Sequence, residues 1–164
     1  SKTVCQNLRP TRLSDSLQAR QDTRNALYLR DWLVLEAERA DTGQHLWSDY
    51  RFILKKMGFC RAELTIEGVG RTFFLPDTPH EDESRLYHEI HTICPEVCLE
   101  VYAAKENFSE RQFRVISDIA AEAWTKASIR WKQVNGASLT FDCKASEAST
   151  YRAQKARNLY RPTY

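Results

Sequence analysis

The sequence lacks the features that mark several specialised protein classes. No apolar run approaches the roughly 20 residues that a transmembrane helix needs. Glycine and proline occur only five times each, which excludes collagen-like and low-complexity chains. Residues 1–15 contain no apolar stretch of the kind found in a secretory signal. We therefore expect a cytoplasmic protein without a membrane segment.

The cysteines are too irregular in number and spacing for a disulfide-stapled domain. Five are present, at positions 5, 60, 94, 98 and 143. An odd number without a repeated spacing is not the paired framework of small secreted proteins. We interpret them as reduced thiols, with a single bridge as the alternative.

The chain does contain enough apolar material for one folded domain. Its 164 residues include seven tyrosines, seven phenylalanines and four tryptophans, which argue against disorder. A single core typically serves about 100 to 200 residues. We predict one α+β domain over residues 22–144, between a basic N-terminal arm, 1–21, and a basic, tyrosine-containing C-terminal tail, 145–164.

Charge is distributed unevenly along the chain. Residues 1–30 carry six basic and two acidic side chains, and residues 144–164 carry five basic and one acidic. The middle, 31–143, has 13 basic and 19 acidic residues. The formal net charge of +2 therefore hides two basic ends around an acidic body.

Hydrophobic periodicity predicts an N-terminal helical hairpin. Apolar residues recur at helical spacing over about 22–40 and again over about 42–57. Tyr28, Trp32 and Leu35 widen the apolar stripe of the first helix. We expect both stripes to contribute to the core.

The rest of the chain predicts a mostly antiparallel sheet of about five strands. In order, the pattern indicates strands over 61–67 and 71–75, a helix over 82–93, a strand from 97, a helix from Ser109, and strands over 128–133 and 137–143. The element order is then α-α-β-β-α-β-α-β-β, an α+β fold with helices on one face of the sheet.

The helix that starts at Ser109 has the strongest local signals. Ser109 and Gln112 have the spacing of a capping box, and Phe108 and Phe113 that of a hydrophobic staple. Trp124 falls on the buried face of this helix, and we predict that it packs against the sheet. Asn135-Gly136 is interpreted as the bulged loop between the last two strands.

Four neighbouring residues, His88, His91, Cys94 and Cys98, are all of types that ligate zinc. Their spacing matches no standard structural zinc site. Because they straddle the end of a predicted helix and a following strand, we predict no metal here. The acidic run at 80–83 is interpreted as the start of that helix, where negative charge is favourable.

No motif indicates catalysis or a cofactor. The sequence has no G-x-S-x-G elbow, P-loop or dinucleotide glycine motif. Tyr151 and Lys155 have the Y-x-x-x-K spacing of some nicking enzymes and dehydrogenases, but none of the accompanying motifs is present. We predict no catalytic residues and no cofactor.

The basic C-terminal tail is the remaining functional signal. Basic side chains neutralise phosphates and tyrosine stacks on unpaired bases. The predicted nucleic-acid-binding residues are Tyr151, Arg152, Lys155, Arg157, Tyr160 and Arg161. Residues 151–164 have little apolar material with which to dock, so we expect them to be mobile without a partner. The alternative is a tail that docks on the acidic body of the same chain.

These observations favour a non-enzymatic binding or regulatory protein. Its expected partner is anionic, with nucleic acid first and an acidic protein surface second. The alternatives are a protein–protein adaptor that binds through the sheet or the helical hairpin, and a small enzyme with an unrecognised site.

Overall fold

The structure is a computed structural model that describes residues 8–76 and 82–159. The elements in chain order are α1 (Leu8–Ala37), α2 (Gly43–Met57), β1 (Arg61–Ile66), β2 (Val69–Phe74), a 3-10 turn (Glu83–Arg85), β3 (Leu86–Cys94), β4 (Val97–Ala104), α3 (Glu110–Asn135) and α4 (Glu147–Leu159). The fold is α+β, as the sequence predicted. None of the described helices is both long enough and apolar enough to cross a membrane.

The described strands form one antiparallel sheet of four in the order β2-β1-β4-β3. Burial alternates along the two central strands, as expected when one face is covered. The covered face of β1 carries Ala62, Leu64 and Ile66, which pair with Val101, Leu99 and Val97 of β4. The opposite face of the sheet is more exposed.

The predicted helix over 82–93 is wrong, because this segment is strand β3. Leu86, Tyr87, Ile90 and Ile93 fit a helical stripe, but the segment also alternates, with every second side chain more exposed. Pro95-Glu96 forms a tight turn that pairs β3 with β4, instead of stopping a helix.

The predicted strands over 128–133 and 137–143 are also wrong, which reduces the expected five strands to four. Helix α3 continues to Asn135, since Trp124, Ala127 and Trp131 extend its buried stripe. Gly136 takes a left-handed conformation, φ 73°, and its N–H bonds the carbonyl of Lys132. The Asn-Gly pair therefore ends a helix and does not turn a hairpin.

Helix α1 begins earlier than predicted and lies parallel to α3. Gln112 Nε2 donates to the carbonyl of Ala19 at 2.9 Å, Arg30 meets Glu122 at 3.1 Å, and further along both helices Arg130 meets Glu38 at 2.7 Å. The Ser109 cap is confirmed, because its hydroxyl accepts the Gln112 N–H at 3.1 Å. The Gln112 side chain, however, does not complete the capping box but bonds α1.

The core lies between the helical layer and the covered face of the sheet. Trp124 is buried, as predicted, but its ring packs on Tyr50 of α2, with centroids 4.9 Å apart. The Tyr50 hydroxyl donates to the carbonyl of Ala120 at 2.6 Å, and its burial raises its pKa far above the ordinary value. The contact ties α2 to α3.

The expectation of mobility, made for residues 151–164, is wrong for 151–159, which lie in helix α4, and residues 160–164 lie outside the described part of the chain. Ser149 and Ala153 are buried on its inner side. Ahead of the helix, the Ser146 N–H bonds Asn135 Oδ1 at 2.9 Å, and the Ala145 N–H bonds the Asp41 carbonyl at 2.7 Å. The small side chains supply the docking face that the sequence analysis missed.

Candidate functional site, an aromatic groove between the first two helices

An open groove lies between α1 and α2. It measures about 460 Å³ and is walled by three aromatic rings: Tyr28 and Trp32 of α1, and Phe52 of α2. Asn25, Leu29 and Lys56 complete its lining. This volume is within the range of ligand-binding pockets.

The groove exists because α1 carries a second apolar stripe that the fold leaves uncovered. Ala26, Leu33 and Ala37 form the buried stripe. Tyr28 and Leu35 lie round the helix from it and remain 66% and 54% exposed. The prediction that this wider stripe belongs to the core is wrong for Tyr28 and Leu35, which no described element covers, whereas Trp32 is partly buried and packs against the core.

Helix α2 contributes an exposed aromatic ring, that of Phe52, on its outer side. Phe52 is 49% exposed, and its ring centroid lies 5.6 Å from that of Trp32 at an interplanar angle of 58°. Lys56, one turn further along α2, places its ammonium 5.5 Å from the centroid of the Phe52 ring. The two helices are therefore in contact through the tilted rings of Trp32 and Phe52, and the Lys56 ammonium lies beside this contact.

The surroundings of the groove are basic. Arg24 lies one turn before Tyr28 on α1, while Arg51 and Lys55 lie beside Phe52 on α2. These three side chains and Lys56 are exposed and make no ion pair within residues 15–76 and 82–159. The nearby Asp31 is already paired with Arg30 at 3.0 Å. The groove therefore offers apolar surface next to four exposed cations that form no ion pair within the described residues.

A smaller depression of about 250 Å³ continues the groove past Lys56. Asp22, Gly58 and Phe108 line this end. Gly58 has φ 102°, and a Cβ there would lie 2.6 Å from the Phe108 ring. Only glycine fits this backbone and this contact, so the end of α2 fixes the floor of the depression.

Two acidic residues lie one turn beyond Trp32 and Phe52: Glu36 on α1 and Asp49 on α2. The carboxyl of Asp49 is half-buried, and its Oδ2 atom has no hydrogen-bond partner. Burial raises the pKa of Asp49 from 3.8 to about 6, with a smaller contribution from Glu36, while His45 opposes the rise. The raised pKa of Asp49 therefore places its titration near neutral pH.

The residues predicted to bind nucleic acid do not all lie together. Tyr151, Arg152 and Lys155 share the exposed side of α4. Arg157 turns to another side, where it meets Asp41 at 3.4 Å. Tyr160 and Arg161 lie outside the described residues. Half of the predicted set therefore forms one surface, and its role stays a prediction.

The predicted zinc-type cluster is divided between the two faces of the sheet. His88 lies on the more exposed face, stacked on Tyr102 with centroids 4.2 Å apart and bonded to Glu100 at 2.9 Å. His91, three residues on, lies on the opposite face against Ser117. The two histidines therefore cannot share an ion, although both lie on one strand.

The two cysteines of the predicted cluster are free thiols on neighbouring strands. Cys94 ends β3 and Cys98 lies in β4, and neither forms a disulfide. Burial, together with the carboxylates of Glu100 and Glu63, raises the pKa of the Cys98 thiol. A raised pKa disfavours the thiolate that nucleophilic chemistry needs.

Comparisons with known proteins assign no function to the groove. No family model, curated protein or solved structure matches the chain. The aromatic groove was not singled out from the sequence, because exposed and buried aromatic stripes have the same helical spacing. The only sequence signal was the unusual width of the α1 stripe.

Proposed function

We propose that this protein is a non-enzymatic binding protein whose aromatic groove takes an acidic, amphipathic segment of a partner protein. The observation that carries the proposal is the combination of exposed rings, Tyr28 and Phe52, with the unpaired cations Arg51, Lys55 and Lys56. An exposed apolar patch bordered by charge is typical of an interaction site. The sequence also led us to expect an anionic partner, but one bound through the basic terminal segments and not through this groove.

The lining of the groove favours binding over catalysis. Its side chains are aromatic, aliphatic, amide and ammonium groups. A hydrolytic or acid–base site would need a nucleophile or a paired acid and base within hydrogen-bond distance of one another. Aromatic residues with nearby cations are instead the composition of binding hot spots.

The ring geometry favours a peptide over nucleic acid in this groove. Single-stranded bases stack on open aromatic faces. The Phe52 ring is already in contact with Trp32 and with the Lys56 ammonium, so its faces are partly used. Apolar side chains spaced by three and four residues on a partner helix would enter such a corner between two helices. Their acidic neighbours would then meet Arg51 and Lys55.

Trp32 provides a direct measurement of binding. It is half-buried in the groove, whereas Trp47, Trp124 and Trp131 are buried elsewhere. The probe is a synthetic amphipathic peptide of about 18 residues, with Leu and Phe on one helical face and Asp and Glu on the other. We expect saturable binding in the micromolar range and a change in tryptophan emission. Trp32→Phe should remove the change in emission.

Two sets of variants test the two parts of the groove. The double variant Tyr28→Ser, Phe52→Ser removes the exposed rings, and Arg51→Glu, Lys55→Glu reverses the charge. Each double variant should weaken binding of the acidic peptide at least about tenfold, which corresponds to 1.4 kcal/mol of binding free energy. Lys132→Glu, an exposed residue at the end of α3, is the matched charge control. Equal binding of a peptide with Lys in place of every Asp and Glu would contradict the proposal.

Nucleic-acid binding through α4 is a second candidate function. Tyr151, Arg152 and Lys155 on one exposed helix side support it. With two phosphate contacts on a single strand, the logarithm of affinity should fall with the logarithm of salt concentration at a slope of about −1.4. Arg152→Ser, Lys155→Ser should flatten this slope, while Lys132→Ser should not. Absence of single-strand binding at about 50 mM salt would exclude this candidate.

A further inference from the structure

A second cluster of polar side chains lies at the edge of the sheet, away from the groove. Glu89 and His91 of β3 and Asp118 of α3 each offer a ligand atom, and these three atoms lie within 4.8 Å of one another. We propose that Glu89, His91 and Asp118 bind one divalent transition-metal ion, for which Zn²⁺ is the probe. Imidazole with two carboxylates is a donor set that suits this class of ion.

The fold explains why these three residues meet. Glu89 and His91 are two apart on β3, so both point to the same face of the sheet. Helix α3 crosses that face, as the contact between Tyr87 and Phe113 shows, with ring centroids 5.3 Å apart. Asp118 follows on α3 little more than one turn after Phe113. Asp118 is 27 residues from His91 along the chain, so the local spacing of His88, His91, Cys94 and Cys98 does not indicate it.

One carboxylate oxygen of the cluster has no hydrogen-bond partner among the described residues. The Glu89 Oε2 atom is buried and has no hydrogen-bond partner, with His91 Nε2 3.9 Å away. Neither Glu89 nor Asp118 is paired with a lysine or arginine in the described parts of the chain. A buried carboxylate oxygen without a partner is costly. A metal ion would supply the missing positive charge and the missing ligand contact.

His91 is already held in place by Ser117, whose hydroxyl bonds its Nε2 atom. Ser117 is fully buried within α3, so it has no access to a substrate. The Glu89 carboxylate approaches the same Nε2 atom, whereas in a catalytic triad the acid bonds the other ring nitrogen. The arrangement is therefore not a serine nucleophile with its base. An ion bound at Nε2 would take the place of the Ser117 hydroxyl on that nitrogen, so metal binding there breaks this hydrogen bond.

The required movement is small. Zinc binds nitrogen and oxygen at about 2.0–2.2 Å, so its ligand atoms lie roughly 3.5 Å apart in a tetrahedral site. The three side chains must close by about 1 Å from their present positions. Asp118 is exposed and free to change rotamer, and β3 is an edge strand. Water can therefore reach the fourth position.

The test is titration of chelator-treated protein with Zn²⁺, followed by calorimetry, and with Co²⁺, followed by absorption. We expect one ion per chain, with visible Co²⁺ bands typical of a tetrahedral site. Glu89→Gln, His91→Ala and Asp118→Asn should each weaken Zn²⁺ binding at least tenfold. His88→Ala is the matched control, because His88 lies on the opposite face of the same strand.

Asp118→Asn keeps the test valid if the strand variants fail to fold, since Asp118 is exposed. Stoichiometric binding that Asp118→Asn leaves unchanged would overturn the assignment of these ligands. Absence of Zn²⁺ and Co²⁺ binding by the folded parent protein would overturn the proposal itself.

Discussion

The backbone of Gly43 lies directly against the carbonyl group of Thr140. A Cβ atom at position 43 would stand 1.7 Å from the Thr140 oxygen. The Gly43 N–H also donates to the carbonyl of Cys143 at 3.1 Å. The connection between α3 and α4 is therefore clamped onto the first turn of α2, and it holds the basic C-terminal segment against the body of the protein.

Gly43→Ala should destabilise the protein by about 2–3 kcal/mol or more. The cause is steric, because the added methyl group meets backbone atoms that cannot rotate away. Chemical denaturation would show a lower midpoint with an unchanged slope. Gly70→Ala is the matched control, since a Cβ there meets only ordinary contacts from 3.6 Å. Equal stability of the two variants would show that the connection is not clamped.

Trp124→Ala should lower the free energy of unfolding by about 3–5 kcal/mol. The ring is almost fully buried, and its loss leaves a cavity beside Tyr50. Equilibrium unfolding in urea measures the change. A loss below about 0.5 kcal/mol, the range of surface substitutions, would place this face of α3 in solvent.

The docking of helix α4 on the rest of the protein should depend on the small buried side chain of Ala153. Ala153→Asp introduces a charge on the docked side, so we expect faster hydrogen exchange across 147–159 with little change elsewhere. Gln154→Asp, on the exposed side of the same turn, is the control. Slow exchange in both variants would mean that docking of Ala153 does not hold the helix.

The sequence predicted the elements whose local signals agree with their tertiary environment. Ser109 caps α3, and the first two helices form a hairpin, because capping and periodicity point the same way. Asn135-Gly136 was misassigned because the same dipeptide ends helices and turns hairpins. Only the buried position of Trp131, one further turn along α3, decides between the two.

The candidate sites could not be predicted for a different reason. Tyr28 and Leu35 have the spacing of core residues, and only the packing of the whole fold leaves them exposed. His91 and Asp118 come together because α3 crosses β3, a contact that no local pattern encodes. Burial and tertiary contacts, not residue type, separate the functional candidates from the core.

Asp49 should make the protein less stable as the pH rises. Its pKa in the folded state is about 6, against an ordinary value of 3.8, chiefly because the carboxyl is buried. Between these values the folded state holds more protons than the unfolded state. The contribution of Asp49 to stability is therefore most favourable below about pH 4 and falls as the pH rises toward 6. Above about pH 6 it does not change further.

Asp49→Asn should remove this dependence and stabilise the protein at pH 7 by up to about 3 kcal/mol, since each pKa unit corresponds to about 1.4 kcal/mol. The amide keeps the shape of the carboxyl without its charge, next to Glu36. Urea unfolding at pH 4, 5, 6 and 7 provides the measurement, with the exposed Asp142→Asn as control. Parent and Asp49→Asn curves that stay parallel from pH 4 to 7 would show that Asp49 is ionised in both states, and would contradict the prediction.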